Sequence, residues 1–164
     1  MKRTMAKYLI AFVALLLAGC GYRIYGKQDM PFTEIRIAAV ENRTVEPKLQ
    51  DKLNAALVEE FSKRGIAVHS GASLSLRCVI RDFAITTFAE KSGISVEYRI
   101  FMNADFIITD AEGKTKEMKK IDSPFFVTFS GAEDLALLLA RKDLAEERGL
   151  RELAERVVGE LIYR

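Results

Sequence analysis

Between Ile94 and Ile108 the residues alternate without a slip. Ile94, Val96, Tyr98, Ile100, Met102, Ala104, Phe106 and Ile108 share one parity, against Ser95, Glu97, Arg99, Phe101, Asn103, Asp105 and Ile107 on the other. Successive side chains of a strand point to opposite faces, so the pattern predicts one long strand with one face buried and the other largely wet. At ~3.3 Å per residue such a strand approaches ~50 Å. Its apolar face needs a cover, and that need sets the fold class.

The neighbouring segments supply both pairing partners and cover. Asp110-Ala111-Glu112-Gly113 is a hairpin turn, and the return strand from Lys114 to Phe129 is rich in lysine, as suits an exposed edge. On the other side a strand runs from Ser73 to about Phe88. Leu74, Leu76, Cys78 and Ile80 share a parity there, whereas Phe83 and Ile85 fall on the opposite one. One extra residue near Arg81-Asp82 restores the face, which predicts a bulge. Lys91-Ser92-Gly93 is the turn between these two strands. Glu34 to Val40 is a first strand ending at the turn residue Asn42, and Ile66 to His69 is a brief one.

Two helices follow from spacing. Glu46-Pro47 opens the first, because proline suits a first helical position; Leu49, Leu53, Leu57 and Phe61 recur every fourth residue, Ala56 and Val58 widen the stripe, and Gly65 ends it. Ser130 and Glu133 have the spacing of a capping box. The helix they open carries Leu135, Leu138, Leu139, Leu150, Leu153, Val157 and Leu161 on its buried stripe, with Gly149 as a point where it splits or bends. The expected fold is α+β: a two-layer sandwich with a mainly antiparallel four-stranded sheet and two helices packed on one face, in a single domain over residues 34–164.

Ahead of that domain stand Lys2, Arg3 and Lys7, a short apolar run from Tyr8 to Leu17, and then Leu17-Ala18-Gly19-Cys20. The order is that of a secretory signal, with an apolar run too short to span a bilayer. Its end resembles the bacterial lipobox, which implies removal of residues 1–19 and a diacylglycerol and an acyl chain on Cys20. Residues 20–33, interrupted by Pro31, read as a lipidated tether. Two or more chains make a stable anchor where one is marginal.

Removing residues 1–19 leaves 145 residues with 22 basic against 23 acidic side chains, so the mature charge is about −1. No clustered basic face of a nucleic-acid binder is visible. Cys78 is left without a disulfide partner and reads as a buried strand thiol. His69 is the only histidine and sits in no metal-ligand spacing. No nucleophile elbow, zinc-protease motif, phosphate loop or dinucleotide fingerprint occurs. Glu59-Glu60 and Glu146-Glu147 read as solvated helix faces. The reading is of a protein that is not an enzyme, with no catalytic residue, metal or diffusible cofactor, that works by binding a macromolecule or lipid.

Several short motifs occur in order along the mature chain: Cys20-Gly21-Tyr22, Gly26, a strand ending before Asn42-Arg43-Thr44, Glu46-Pro47 opening a helix that closes on Glu59-Glu60-Phe61-Ser62-Lys63-Arg64-Gly65, then long strands and a charged last helix. In this it resembles the lipopolysaccharide-assembly lipoproteins of the LptE family. The resemblance implies an outer-membrane lipoprotein facing the periplasm, seated in a partner β-barrel that it helps assemble, and binding lipopolysaccharide on its way to the cell surface. Under that reading Lys91, Arg99, Lys116, Lys119 and Lys120 are candidates for the lipid phosphates, at the end of the sheet away from the tether, because ammonium and guanidinium donors suit phosphate. Phe101 and Ile107, apolar on the wet face, are candidates for barrel contact.

The opening from Ile35 to Thr44 is also similar to periplasmic lipoproteins that regulate peptidoglycan synthases or build secretion pores. Those place Phe or Pro before the asparagine, where this chain has Glu41.

Overall fold

A computed structural model describes residues 30–91, 94–122, 127–131 and 134–163. The signal segment, Cys20, most of the tether, Ser92-Gly93 and Glu133 lie outside the described residues. The compact unit Pro31–Arg164 runs β1 (Glu34–Asn42), α1 (Leu49–Lys63), β2 (Ala67–Val68), β3 (Ser75–Lys91), β4 (Ile94–Thr109), β5 (Thr115–Asp122), β6 (Val127–Ser130) and α2 (Leu135–Ile162).

The architecture is α+β, but the described sheet has six strands and is mixed, in place of the expected four mainly antiparallel ones. Its order is β2-β1-β3-β4-β5, with β6 also on β4. β1 runs parallel to both β2 and β3, because the chain leaves the two-residue β2 and enters β3 on the other side of β1 in the same direction. The single return strand expected over 114–129 is instead β5 and β6, which pair with different stretches of β4.

The alternation in β4 holds: Ile100, Met102, Ala104, Phe106 and Ile108 are buried. Leu76, Cys78 and Ile80 face them across the β3–β4 ladder, and the ladder slips one residue between Ile80 and Asp82. That slip is the expected bulge. It brings Phe83 opposite Met102 and Ile85 opposite Ile100. Burial pushes the Cys78 thiol far above its ordinary pKa, so it packs as an inert apolar group.

Leu49, Leu53, Leu57 and Phe61 of α1 are fully buried. The start of α1 differs from expectation: Lys48, in the left-handed region at φ 65°, precedes Leu49, and Pro47 lies in the turn before it. Asn42 makes that turn, its Oδ1 accepting from the Thr44 amide (3.0 Å) and hydroxyl (2.8 Å) while its Nδ2 donates to the Glu46 carbonyl (2.6 Å). Val58 is exposed and does not widen the stripe, whereas Glu60 is buried against Arg64 (2.6 Å).

α2 is capped by Asp134, whose Oδ1 accepts from the amides of Ala136 (2.7 Å) and Leu137 (3.2 Å), so the helix starts on an aspartate and not on the Ser130 box. It passes Gly149 as one helix. A Cβ there would sit 2.9 Å from Met102 Cε, so the glycine lets α2 lie close on β4. Leu150, Leu153 and Val157 are buried, but Leu135 and Leu139, expected on the same stripe, are exposed.

Candidate functional site

β4 sends Phe101, Asn103, Asp105 and Ile107 to the sheet face away from the helices. That face is less wet than strict alternation suggests, because Asn103 and Asp105 are buried. Two irregularities in the neighbouring strands explain why. Arg81 is the extra residue of the β3 bulge, and on the other flank the β4–β5 register jumps from Ala104–Ile121 to Phe106–Met118, leaving Lys119 and Lys120 bulged, with Lys120 at φ 52°.

Asp105 holds both bulges. Its Oδ2 accepts from Arg81 Nε (2.7 Å) and its Oδ1 from the Lys120 amide (2.9 Å). Burial pushes its pKa up, but the Lys120 amide and the Arg81 guanidinium together outweigh it and hold the carboxyl below its ordinary value. Next to it Asn103 Nδ2 donates to Asp82 (2.7 Å), while its buried Oδ1 has no hydrogen-bond partner. Arg81, Asp82, Asn103, Asp105, Lys119 and Lys120 line a recess of about 410 Å³. Lys119 is tied to Glu117 (2.8 Å) at its rim. Such a recess offers cationic donors for an anion and one buried acceptor for a hydroxyl or amide donor.

Toward the β3–β4 tip the same face turns apolar. The Arg99 guanidinium lies 4.2 Å from the centre of the Phe88 ring, and Phe88 and Phe101 are 51% and 38% exposed. Val45, at the turn into α1, is fully exposed. Above the helix face the first turns of α2 expose Leu135 (67%), Leu137 (46%), Leu139 (53%) and Leu144 (63%). At 100° per residue Leu135 and Leu139 lie on one side of the helix and Leu137 and Leu144 on the opposite side.

The structure spreads the cations singled out in the sequence. Lys119 and Lys120 share the recess. Arg99, six residues along β4 from Asp105, stands ~20 Å away at the far end. Lys91 is at the tip opposite Ile94, and Lys116 sits opposite Ile108 at the end where the chain enters the body. Phe101 and Ile107 flank Asn103 and Asp105. Cys20 lies outside the described residues. The sequence reading missed Arg81, Asp82, Asn103 and Asp105 as a group. Their signal was the parity slip at Arg81-Asp82 beside polar residues in consecutive outward positions of β4.

A second buried carboxylate joins the helices. Glu146, read from sequence as solvated, is buried, and it pairs with Lys52 (2.6 Å) and Lys142 (3.1 Å). Lys52 also pairs with Asp143, and Lys142 with Glu46 (2.6 Å). Burial lowers both lysine pKa values, but the hydrogen bonds they donate to these carboxylates more than offset it and leave them raised. His69 is exposed beside Glu34 (3.0 Å). Among the described residues no His, Cys, Asp and Glu cluster is arranged to hold a metal, and no helix is long and apolar enough to cross a membrane.

The chain is similar in fold to the crystal structure of rare lipoprotein B from Shewanella oneidensis, with TM-score 0.55, 13% identity, and 78% of this chain covering 92% of that one. A putative lipoprotein from Caulobacter crescentus gives TM-score 0.51 at 20% identity, over 74% of this chain and 86% of that one. Lipoprotein B from Nitrosomonas europaea gives 0.51 at 12%, over 85% and 92%. At these identities the likeness shows the fold alone. No curated protein sequence matches significantly. The sequence model of the lipopolysaccharide-assembly family LptE matches residues 32–161, nearly the whole body described above. The chain therefore belongs to the LptE family of lipopolysaccharide-assembly lipoproteins, which act in assembly and are not enzymes.

Proposed function

We propose that this protein is an outer-membrane lipoprotein, anchored on the periplasmic side through a diacylglycerol and an acyl chain on Cys20. In this reading it associates with a β-barrel translocon protein, helps that barrel assemble, and delivers lipopolysaccharide to the cell surface. The observation that carries the partner is the far end of α2, where exposed leucines lie on opposite sides of one helix. A helix apolar on both sides calls for cover on both sides, and an enclosing barrel gives that where a flat docking surface does not. Phe88 and Phe101 extend the apolar contact onto the sheet.

Lipid phosphates in this reading meet Lys119 and Lys120 in the recess, with Arg99 and Lys91 toward the β3–β4 tip and Lys116 toward the opposite end of the sheet. The test is purification from detergent-extracted membranes, with identification of what accompanies the protein and mass spectrometry of Cys20. A β-barrel partner and a triply acylated Cys20 are expected; a peptidoglycan synthase, a self-assembled ring or an unmodified Cys20 overturns the reading. Reversing Lys116, Lys119 and Lys120 to glutamate together weakens lipopolysaccharide binding by the purified domain, and unchanged binding removes these three from the lipid site.

A further inference from the structure

The sheet guards its free edges unequally. β5 carries Lys116, Lys119 and Lys120 and a two-residue bulge, which are devices that discourage pairing with another chain. β2 is only two residues long. β3 is bulged at Arg81 and again between Thr87 and Glu90, but between those bulges Asp82–Thr86 keeps a regular register and carries no lysine, and β1 stops short of it at Ile80. There the Arg43 amide makes the last bond of β1 to the Ile80 carbonyl (3.0 Å), and the Asn42 turn lifts the chain away into α1. Past that point β3 pairs with β4 alone among the described strands. The stretch Asp82-Phe83-Ala84-Ile85-Thr86 contains no lysine, proline or glycine, and Phe83, Ile85 and Thr86 are of types that favour strands. Ala84 and Thr86 are exposed, and Phe83 and Ile85 are half-buried.

The geometry points to strand addition at this edge: an extended segment of the barrel partner lies beside Asp82–Thr86 and continues the line that β1 abandons. The inference rests on the barrel reading above and adds how the two chains engage. A row of backbone donors and acceptors left unpaired among the described strands is matched fully only by another extended backbone. Wall strands of a closed barrel already have both edges paired, so the segment comes from a loop or a chain terminus. On the helix side it presents apolar residues to Phe83 and Ile85. On the other side small Ala84 leaves room for a large side chain, and Asp82 favours a basic neighbour.

Amide hydrogen exchange of the protein, free and in its detergent-purified complex, tests this. Exchange across Asp82–Thr86 should slow at least about tenfold in the complex. A double variant, Ala84→Lys with Thr86→Lys, alters only exposed side chains and should cut the co-purifying barrel at least about tenfold. A complex that forms with exchange in this stretch unchanged, or that survives the double variant at full yield, overturns strand addition and leaves the partner in place. Failure of any barrel to co-purify with the unaltered protein overturns both.

Discussion

The two ends of the sheet make opposite use of apolar sequence. At the near end, where the chain enters, Phe32 packs edge-on against Phe61 at 6.4 Å between ring centres. Ile35, Leu57, Phe61, Phe106 and Val157 there have no exposed surface. At the far end Phe88, Phe101, Leu135, Leu137, Leu139 and Leu144 face solvent, although they belong to the same strands and the same helix. The difference is one of coverage. α1 spans only part of the sheet's length, while β3, β4 and α2 continue beyond it. Stability resides at the near end, and the far end holds surface in reserve for contact.

The comparison is sharpened most by deleting one aromatic ring from each end. Phe106→Ala should cost about 3–5 kcal/mol in urea unfolding, and Phe88→Ala less than about 1 kcal/mol, because only the first leaves a cavity. Equal losses would abolish the distinction. At the boundary, Lys52→Met with Lys142→Met strips the cations from buried Glu146 and should cost about 3 kcal/mol by the same measurement. A loss below about 1 kcal/mol would mean that the helices are joined by leucine packing alone.

Asp105→Asn weakens both bulges and should cost about 1–2 kcal/mol at neutral pH. The folded pKa of Asp105 lies below its ordinary value, so its contribution is complete above the ordinary carboxylate range and fades as pH falls through the folded value. The wild-type protein should therefore lose more stability than the variant in thermal melts carried from pH 5 to pH 2. Smallest of all, Leu139→Ser with Leu144→Ser should change stability by no more than about 0.5 kcal/mol, yet reduce the yield of partner in detergent extracts. A marked drop in Tm would instead place these leucines in the core.

Much of this was legible in the residues. The period of β4, the four-residue spacing of Leu49 to Phe61, the slip at Arg81-Asp82 and the turn at Asn42 are local, and local pattern is what sequence carries. Coverage is not local: Leu135 and Leu139 have the same spacing as Leu153 and Val157, and only the length of α1 decides which pair is buried. The parallel pairing of β1 with β3 was hidden because it depends on a two-residue strand. Glu60 and Glu146 were misread because adjacent helical positions differ by 100°, so one of two neighbouring glutamates can turn inward while the other stays wet. The Asp105 recess needed three strands in register, with two bulges meeting at one carboxylate.

The unbroken passage of α2 through Gly149 has a mechanical consequence. Twenty-eight residues at 1.5 Å each make a strut of ~42 Å, one face of its second half buried and its first turns carrying the exposed leucines. A strut without a hinge gives no slack at the waist. Whatever grips those first turns therefore sets the orientation of the whole body, and any adjustment of fit falls to the gripping molecule.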